Sequence, residues 1–247
     1  MGRYGLLGSG ISQSLSPGMF EASYGVAAYD IVDAPSFEEA FARFMADYDA
    51  VNVTMPYKVD AYNKADFRDE SALAVGAANV LRKGPAGLEV FNTDYDAVKM
   101  ILEENGLGEG STVLVVGFGG AGKAAAMAAC SAGAKVFVAN RTVAAMSPYA
   151  SHFTPIPLEE IPSVLGSVGC IIDALKVEVP ALKDLSSLRQ GALVLEANYM
   201  HPNIPQSDRY NYIGGRKWLL YQAVRGFELL TGQKPSVDRM SEFLGII

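Results

Sequence analysis

Few folds accommodate a hydrophobic strand that runs straight into a glycine-rich loop and then into an alanine-rich helix. Thr112-Val113-Leu114-Val115-Val116 shows no polar alternation, as expected of a parallel strand covered on both faces. Gly117-Phe118-Gly119-Gly120-Ala121-Gly122 follows at once, and a helix is predicted from Lys123 to Ser131, stopped at Gly133. Lys135-Val136-Phe137-Val138-Ala139 reads as a second buried strand and completes a βαβ unit. A GxGxxG string alone is a weak signal. Between a strand and a helix it gains meaning, because glycines permit the tight turn and let backbone N–H groups approach a pyrophosphate at the positive end of the helix. Gly117, Gly119, Gly120, Ala121 and Gly122 are therefore the candidate dinucleotide cradle. The bland alternative is a glycine-rich turn where a helix packs closely on a strand.

The end of the second strand faces the ribose. Sites for NAD usually carry Asp or Glu there, about 20 residues past the first glycine, to bond the 2′-hydroxyl. This chain has Asn140-Arg141-Thr142 instead. A guanidinium meets a 2′-phosphate with a planar, charge-assisted fork, so these residues predict NADP over NAD. The competing reading of Arg141 is a strand-end arginine facing water.

The flanking chain alternates strands with helices, which makes the fold class α/β. Tyr4-Gly5-Leu6-Leu7 and Ala50 to Thr54 read as strands, the second stopped by Pro56. Ser16 is the expected N-cap of a helix with Pro17 at its first position, and Ser36 caps a helix in which Phe37, Ala40, Phe41 and Phe44 share a face. Val80-Leu81-Arg82 and Leu88 to Phe91 predict a hairpin with the four-residue loop Gly84-Pro85-Ala86-Gly87. Tyr95 to Asn105 is helical and ends at Gly106. Cys170-Ile171-Ile172 and Ala192 to Leu195 extend the second sheet, and helices follow over about Arg216 to Leu230 and Val237 to Leu244. On the first of these Gln222 shares a side with Trp218 and Leu219, so its amide needs a partner, backbone or ligand.

A net charge of −7 argues against nucleic acid or an anionic membrane as the main partner. Cys130 and Cys170 form no CxxC pair and His152 and His201 are the only histidines, so no metal site is proposed. Cys130 reads as a small apolar helix residue. The long uncharged stretch from Thr142 to Leu158 carries three prolines that would break a bilayer helix. The start of the chain lacks a signal-peptide pattern, so a cytoplasmic location is expected.

Several strings, in order along nearly the whole chain, resemble the shikimate dehydrogenase family. Tyr4-Gly5-Leu6-Leu7-Gly8 with Ser14-Leu15-Ser16-Pro17 is similar to its opening strand and SxSP loop. Asn52-Val53-Thr54-Met55-Pro56-Tyr57-Lys58 matches its NVTxPxK signature, the most specific string here. Gly76-Ala77-Ala78-Asn79, Asn92-Thr93-Asp94, the glycine loop with Asn140-Arg141-Thr142, Tyr199 with Pro202, and Gly215, Leu219 and Gln222 resemble the remaining motifs.

The resemblance implies two lobes with the active site in the cleft between them. Residues 1–97, with 219–247 packing back, would form the substrate-binding catalytic domain; residues 98–218 would form a Rossmann-type, doubly wound NADP-binding domain. The implied reaction is the reversible NADPH-dependent reduction of 3-dehydroshikimate to shikimate, in a monomer or homodimer acting on small molecules. Lys58 and Asp94 would be catalytic: the ammonium would stabilise the developing alkoxide, Asp94 would orient it, and either of the two would carry the proton that is exchanged. Ser14, Ser16 and Tyr199 would bind the substrate carboxylate. Thr54, Asn79, Asp94 and Gln222 would bond ring hydroxyls, and Gly215 and Trp218 would belong to the cofactor site, the Trp218 indole either stacking on the nicotinamide or blocking its place. Outside the motif Lys58 would read as a solvated charge, Ser16 has its capping role, and Asn79 suits a turn.

The chain departs from the family pattern at several points. Gln13 replaces a histidine, Val80 a threonine and Ala97 a glycine. Glu196 replaces an aspartate ahead of Tyr199. Ile172-Asp173-Ala174-Leu175 stands where an IN(A/T)T string runs beside the nicotinamide ribose, and Trp218 replaces a methionine. These last changes gather on the hydride-donor side. They leave open a relative that acts on quinate or an amino-shikimate analogue, and a non-catalytic shikimate-binding homologue.

Overall fold

The computed structural model describes residues 2–246, and the chain divides into two compact units. One runs to Thr93 and resumes at Leu220; the other is Asp94–Leu219.

The first unit is built on a mixed six-stranded sheet. Its elements are β1 (Tyr4–Gly8), α1 (Ser16–Tyr24), β2 (Tyr29–Asp33), α2 (Phe37–Asp47), β3 (Ala50–Val53), α3 (Lys58–Lys64), β4 (Phe67–Arg68), α4 (Glu70–Val75), β5 (Val80–Gly84) and β6 (Gly87–Phe91). The strand order is β2-β1-β3-β5-β6-β4. β1 runs parallel to both its neighbours, whereas β3, β5 and β6 pair antiparallel. Ser36 caps α2 by accepting the Glu39 N–H at 3.3 Å, and Phe37, Ala40 and Phe44 turn inward against Leu7, Val51 and Val53.

At two points the local structure departs from the sequence pattern. Ser16 is not the cap of α1: Leu15 holds that position, Pro17 falls one place further in, and Ser14 Oγ accepts the Ser16 N–H at 3.2 Å. The hairpin turn is tighter than expected, because Gly84 and Gly87 themselves pair and leave only Pro85 and Ala86 between the strands. Gly87, at φ +142, takes a conformation open to glycine alone.

The second unit contains α5 (Thr93–Glu104), β7 (Thr112–Val116), α6 (Gly120–Ser131), β8 (Lys135–Ala139), β9 (Thr154–Ile156), α7 (Ile161–Val164), β10 (Cys170–Asp173), β11 (Ala192–Glu196), β12 (Tyr210–Ile213) and the start of α8 (Gly215–Thr231). Its six strands are all parallel in the order β12-β11-β10-β7-β8-β9. This is the doubly wound nucleotide-binding arrangement, with the chain reversing direction across the sheet between β7 and β10. α6 begins at Gly120, three residues earlier than its sequence pattern indicates, since the glycines after Gly119 already wind as helix. Burial of Val113 to Val116, Ile171, Ile172 and Val194 on a sheet covered on both faces explains their unbroken apolar character.

The last helix, α9 (Val237–Leu244), packs on α1 in the first unit. Phe227 joins it there, its ring 5.1 Å from Phe20 and 5.6 Å from Tyr29. Among the described residues no helix is long and apolar enough to cross a membrane.

Candidate active site

In the first unit the expected polar residues collect along one edge of the sheet. The loop after β1 carries Ser14 and leads into Ser16 at the start of α1, and Asp33 at the end of β2 anchors it by accepting the N–H groups of Gly10 and Ile11 at 2.9 and 3.2 Å. Thr54 leaves the adjacent end of β3, its N–H bonded to the Leu7 carbonyl at 2.8 Å. Lys58 follows as the first residue of α3, half-buried, its own carbonyl accepting the Ala78 N–H at 2.9 Å. Asn79 enters β5 at the same edge, where its carbonyl accepts the Val53 N–H at 2.8 Å. The carboxyl ends of parallel strands β1 and β3 therefore present these side chains together, the usual ligand position of open α/β sheets.

A buried hydrogen-bond chain backs this edge. Ser16 is bonded to Tyr29, whose hydroxyl donates to Asn52 Oδ1 at 2.7 Å. Asn52 Nδ2 donates to the Asn79 carbonyl at 3.3 Å. The Asn79 amide holds Thr93, accepting its N–H at 2.7 Å and donating to its hydroxyl at 3.0 Å. The Thr93 hydroxyl in turn reaches Gln222 Oε1 at 3.3 Å, which supplies the partner that an amide on an apolar helix face requires. Burial pushes the Tyr29 hydroxyl well above its ordinary pKa, so it stays a proton donor throughout the physiological range. Tyr29 and Asn52 went unassigned in the sequence; only the strand register reveals that they underpin Ser16 and Asn79.

In the second unit the three motif glycines play three different parts. Gly117 has φ +97, and a Cβ there would lie 2.7 Å from the Leu175 side chain. A Cβ on Gly122 would lie 2.1 Å from the Gly117 carbonyl oxygen, so this glycine sets how closely α6 packs on the strand. Gly119 has no heavy atom within 4 Å of the place its Cβ would take, and it is the N-cap of α6 without a side-chain cap. Gly119 thus leaves clear space where its side chain would stand, at the positive end of a 12-residue helix, as close approach of a pyrophosphate requires. These residues fit a dinucleotide.

β7 and β8 pair in register from Thr112 with Lys135 to Val116 with Ala139, so the glycine loop and Asn140-Arg141-Thr142 leave the sheet side by side. Arg141 and Thr142 are exposed, and Asn140 Nδ2 is bonded to the Thr142 carbonyl at 3.2 Å. Beyond them Tyr149 bonds Lys123 of α6, whose ammonium lies 4.3 Å from the ring centre, and Phe118 of the loop meets Tyr149 edge-on at 5.5 Å. Sequence reasoning assigned no role to Lys123 or Tyr149.

Asp94 is the second residue of α5, in its first turn, where a carboxylate is favoured. Tyr199 is half-buried in the loop after β11, while Gly215 and Trp218 lie at the start of α8, with Trp218 buried. A cavity of about 590 Å³ adjoins this region, bounded by Tyr199, Asn203, Tyr212, Gly215 and Arg216 among others. Asp173 and Glu196 are fully buried at adjacent strand ends. Burial above all, with the neighbouring Glu196 charge adding to it, pushes the Asp173 carboxyl up to about 6 against the opposing hydrogen bonds of Asn203 and Leu175. No group of three or more His, Cys, Asp or Glu suited to a metal ion occurs among the described residues.

Residues 6–81 match the family described as the shikimate dehydrogenase substrate binding domain. Across its length the chain is 31% identical to the shikimate dehydrogenase (NADP(+)) of Natronomonas pharaonis, covering 98% of this chain and 97% of that protein. Among solved structures, the shikimate 5-dehydrogenase of Thermus thermophilus in complex with shikimate aligns with a TM-score of 0.83 at 25% identity, over 100% of this chain and 98% of that one. The quinate dehydrogenase of Corynebacterium glutamicum in complex with NAD aligns with a TM-score of 0.85 at 25% identity, over 99% and 98%.

Proposed function

Because the chain belongs to the shikimate dehydrogenase family, we propose that it catalyses the reversible NADPH-dependent reduction of 3-dehydroshikimate to shikimate. The observation that carries this reading is the match of nearly the whole chain to a relative of that name. The polar strand edge of the first unit and the open glycine cradle of the second support it.

Bound NADPH supplies the hydride. Gly117, Gly119, Gly120, Ala121 and Gly122 would hold its pyrophosphate through backbone N–H groups, and Asn140, Arg141 and Thr142 its 2′-phosphate. Gly215 and Trp218 would lie at its nicotinamide end. Ser14, Ser16 and Tyr199 bind the substrate carboxylate; Thr54, Asn79, Asp94 and Gln222 bond its hydroxyls. As the ketone carbon is reduced, negative charge builds on its oxygen. Lys58 stabilises that charge and delivers the proton that completes the alcohol, and removes it in the reverse direction. A site lined this way rejects analogues that lack a hydroxyl, since its own polar groups are then left unpaired. Cytoplasmic location, and a monomer or homodimer as the working form, belong to the same proposal.

The likeness to a quinate dehydrogenase with NAD makes quinate and NAD the second reading, which the absence of an acid at Asn140-Arg141-Thr142 disfavours. The test follows the NADPH absorbance band with purified protein, shikimate or quinate, and NADP⁺ or NAD⁺ in parallel. The expected result is turnover with shikimate and NADP⁺ that falls about 10²- to 10⁴-fold in Lys58→Ala. Silence in every combination, with shikimate still bound in a calorimeter, would leave a non-catalytic binding protein.

A further inference from the structure

Two carboxylates seldom lie side by side inside a protein unless something between them donates to both. Here the register of β10 and β11 puts Asp173 opposite Glu196, and one residue serves the two. The Asn203 backbone N–H donates to Glu196 Oε1. Its side-chain Nδ2 donates to Asp173 Oδ2 at 3.0 Å and to the carbonyls of Leu175 and Val177 at 3.0 and 3.3 Å. Asp173 Oδ1 accepts the Leu175 N–H at 3.1 Å, while Glu196 Oε2 accepts the Tyr212 hydroxyl at 2.6 Å and the Ile204 N–H at 3.4 Å. Asn203 thus closes the loop after β11 onto the loop after β10, beside the backbone bond from the Ala197 N–H to the Asp173 carbonyl at 2.8 Å. The start of α8 bounds the same loop from another side, since a Cβ on Gly215 would lie 2.5 Å from the Ala197 carbonyl oxygen and 2.8 Å from the Tyr199 nitrogen.

We propose that Asn203 is a positioning residue: it ties the segment 174–177, on the nicotinamide side, to the segment 197–204 that carries Tyr199, so that the cofactor and substrate subsites are built together. The residue types make the case. An amide supplies two N–H groups to one carboxylate and two carbonyls while its own backbone N–H serves the second carboxylate. Alanine would leave a buried carboxylate oxygen and the Leu175 carbonyl without that donor, and aspartate would bring up a third carboxylate. The roles of the two segments rest on the function proposed above; the tie itself does not.

The experiment compares Asn203→Ala with Asn105→Ala, whose side-chain amide donates to the Ile101 carbonyl at 2.8 Å beyond the end of α5 and belongs to neither segment. In Asn203→Ala the KM values for shikimate and for NADP⁺ both rise about tenfold, or about 1.4 kcal/mol each, with kcat at saturation within about twofold of wild type. Asn105→Ala keeps wild-type constants. A change in only one KM, a fall in kcat alone, or the same changes in Asn105→Ala would overturn the proposal. Hydrogen exchange on the ligand-free protein supplies a second reading: peptides over 174–178 and over 197–206 gain exchange together in Asn203→Ala, and a gain in one without the other refutes the tie. That measurement needs no substrate, so a wild type inert towards shikimate would sink the proposed function and leave the tie still decided. Should Asn203→Ala fail to fold, Asn203→Ser, which keeps one donor, carries the same measurements with smaller changes.

Discussion

Replacing Asp173 by asparagine should make the second unit's stability less sensitive to pH. In the folded chain the Asp173 carboxyl is pushed from 3.8 up to about 6, chiefly by burial. Between those values the native state binds more protons than the unfolded chain, so stability falls as pH rises through the window and levels off above it. Two pKa units are worth about 3 kcal/mol in full, of which about 2 kcal/mol is lost between about pH 4.5 and pH 7.5. Asparagine carries no proton to lose. Its –NH₂ group faces the donating Asn203 amide, which offsets the variant from wild type; that offset is constant with pH, and the slope is what discriminates. Urea unfolding followed by the fluorescence of Trp218, the single tryptophan, reads this unit directly. The difference between variant and wild type should move by about 2 kcal/mol in the variant's favour across that range. Parallel curves would mean that Asp173 is charged as easily in the fold as in water, and the reasoning from burial would be wrong.

Two glycines predict opposite outcomes from one substitution. Gly122→Ala forces α6 off its strand and should cost about 1 to 3 kcal/mol of stability, whereas Gly119→Ala meets no neighbour and should melt like wild type while losing affinity for NADP⁺ in a calorimeter. A stable Gly122→Ala protein, or an unstable Gly119→Ala one, would contradict the packing described. Arg141→Ala should raise the KM for NADP⁺ by about 10- to 100-fold and that for NAD⁺ by much less, and equal changes would show that the guanidinium does not read the 2′-phosphate.

The sequence reveals most where a single physical demand dominates. β7 and β8 are legible because strands covered on both faces must be apolar throughout, and the glycine loop because no other residue permits that turn and that close helix. Ser36 is legible as a cap because its partner lies three residues away. β9 and β12 are not, since Thr154-Pro155-Ile156 carries a proline and Tyr210-Asn211-Tyr212-Ile213 mixes polar with apolar; only their neighbours in the sheet make them strands. Ser16 misleads because its own N–H is taken by the neighbouring Ser14 hydroxyl, which draws it into the first turn. At the site, motif strings identify the polar residues of the strand edge, but Tyr29 behind them, and the part Asn52 of the NVTxPxK string plays, emerge only from three-dimensional pairing. Asp173 and Glu196 stand out in the chain as departures from the family pattern. That they are neighbours, and that Asn203 joins them, depends on a register between strands well separated in sequence.

The first unit is written in two pieces, with the whole of the second inserted between Thr93 and Leu220. A growing chain therefore emerges with β1 to β6 made and their hydrophobic surface incomplete, because Phe227 and α9 must still be translated before Phe20 and α1 can be covered. The inserted unit holds all six of its strands in one continuous stretch and is finished first. Translation thus supplies the whole of the inserted unit before the other unit is complete. A permuted gene opened at Gly214, between β12 and α8, with a linker joining the old ends, would make the first unit continuous and reverse that order without cutting a strand of either sheet.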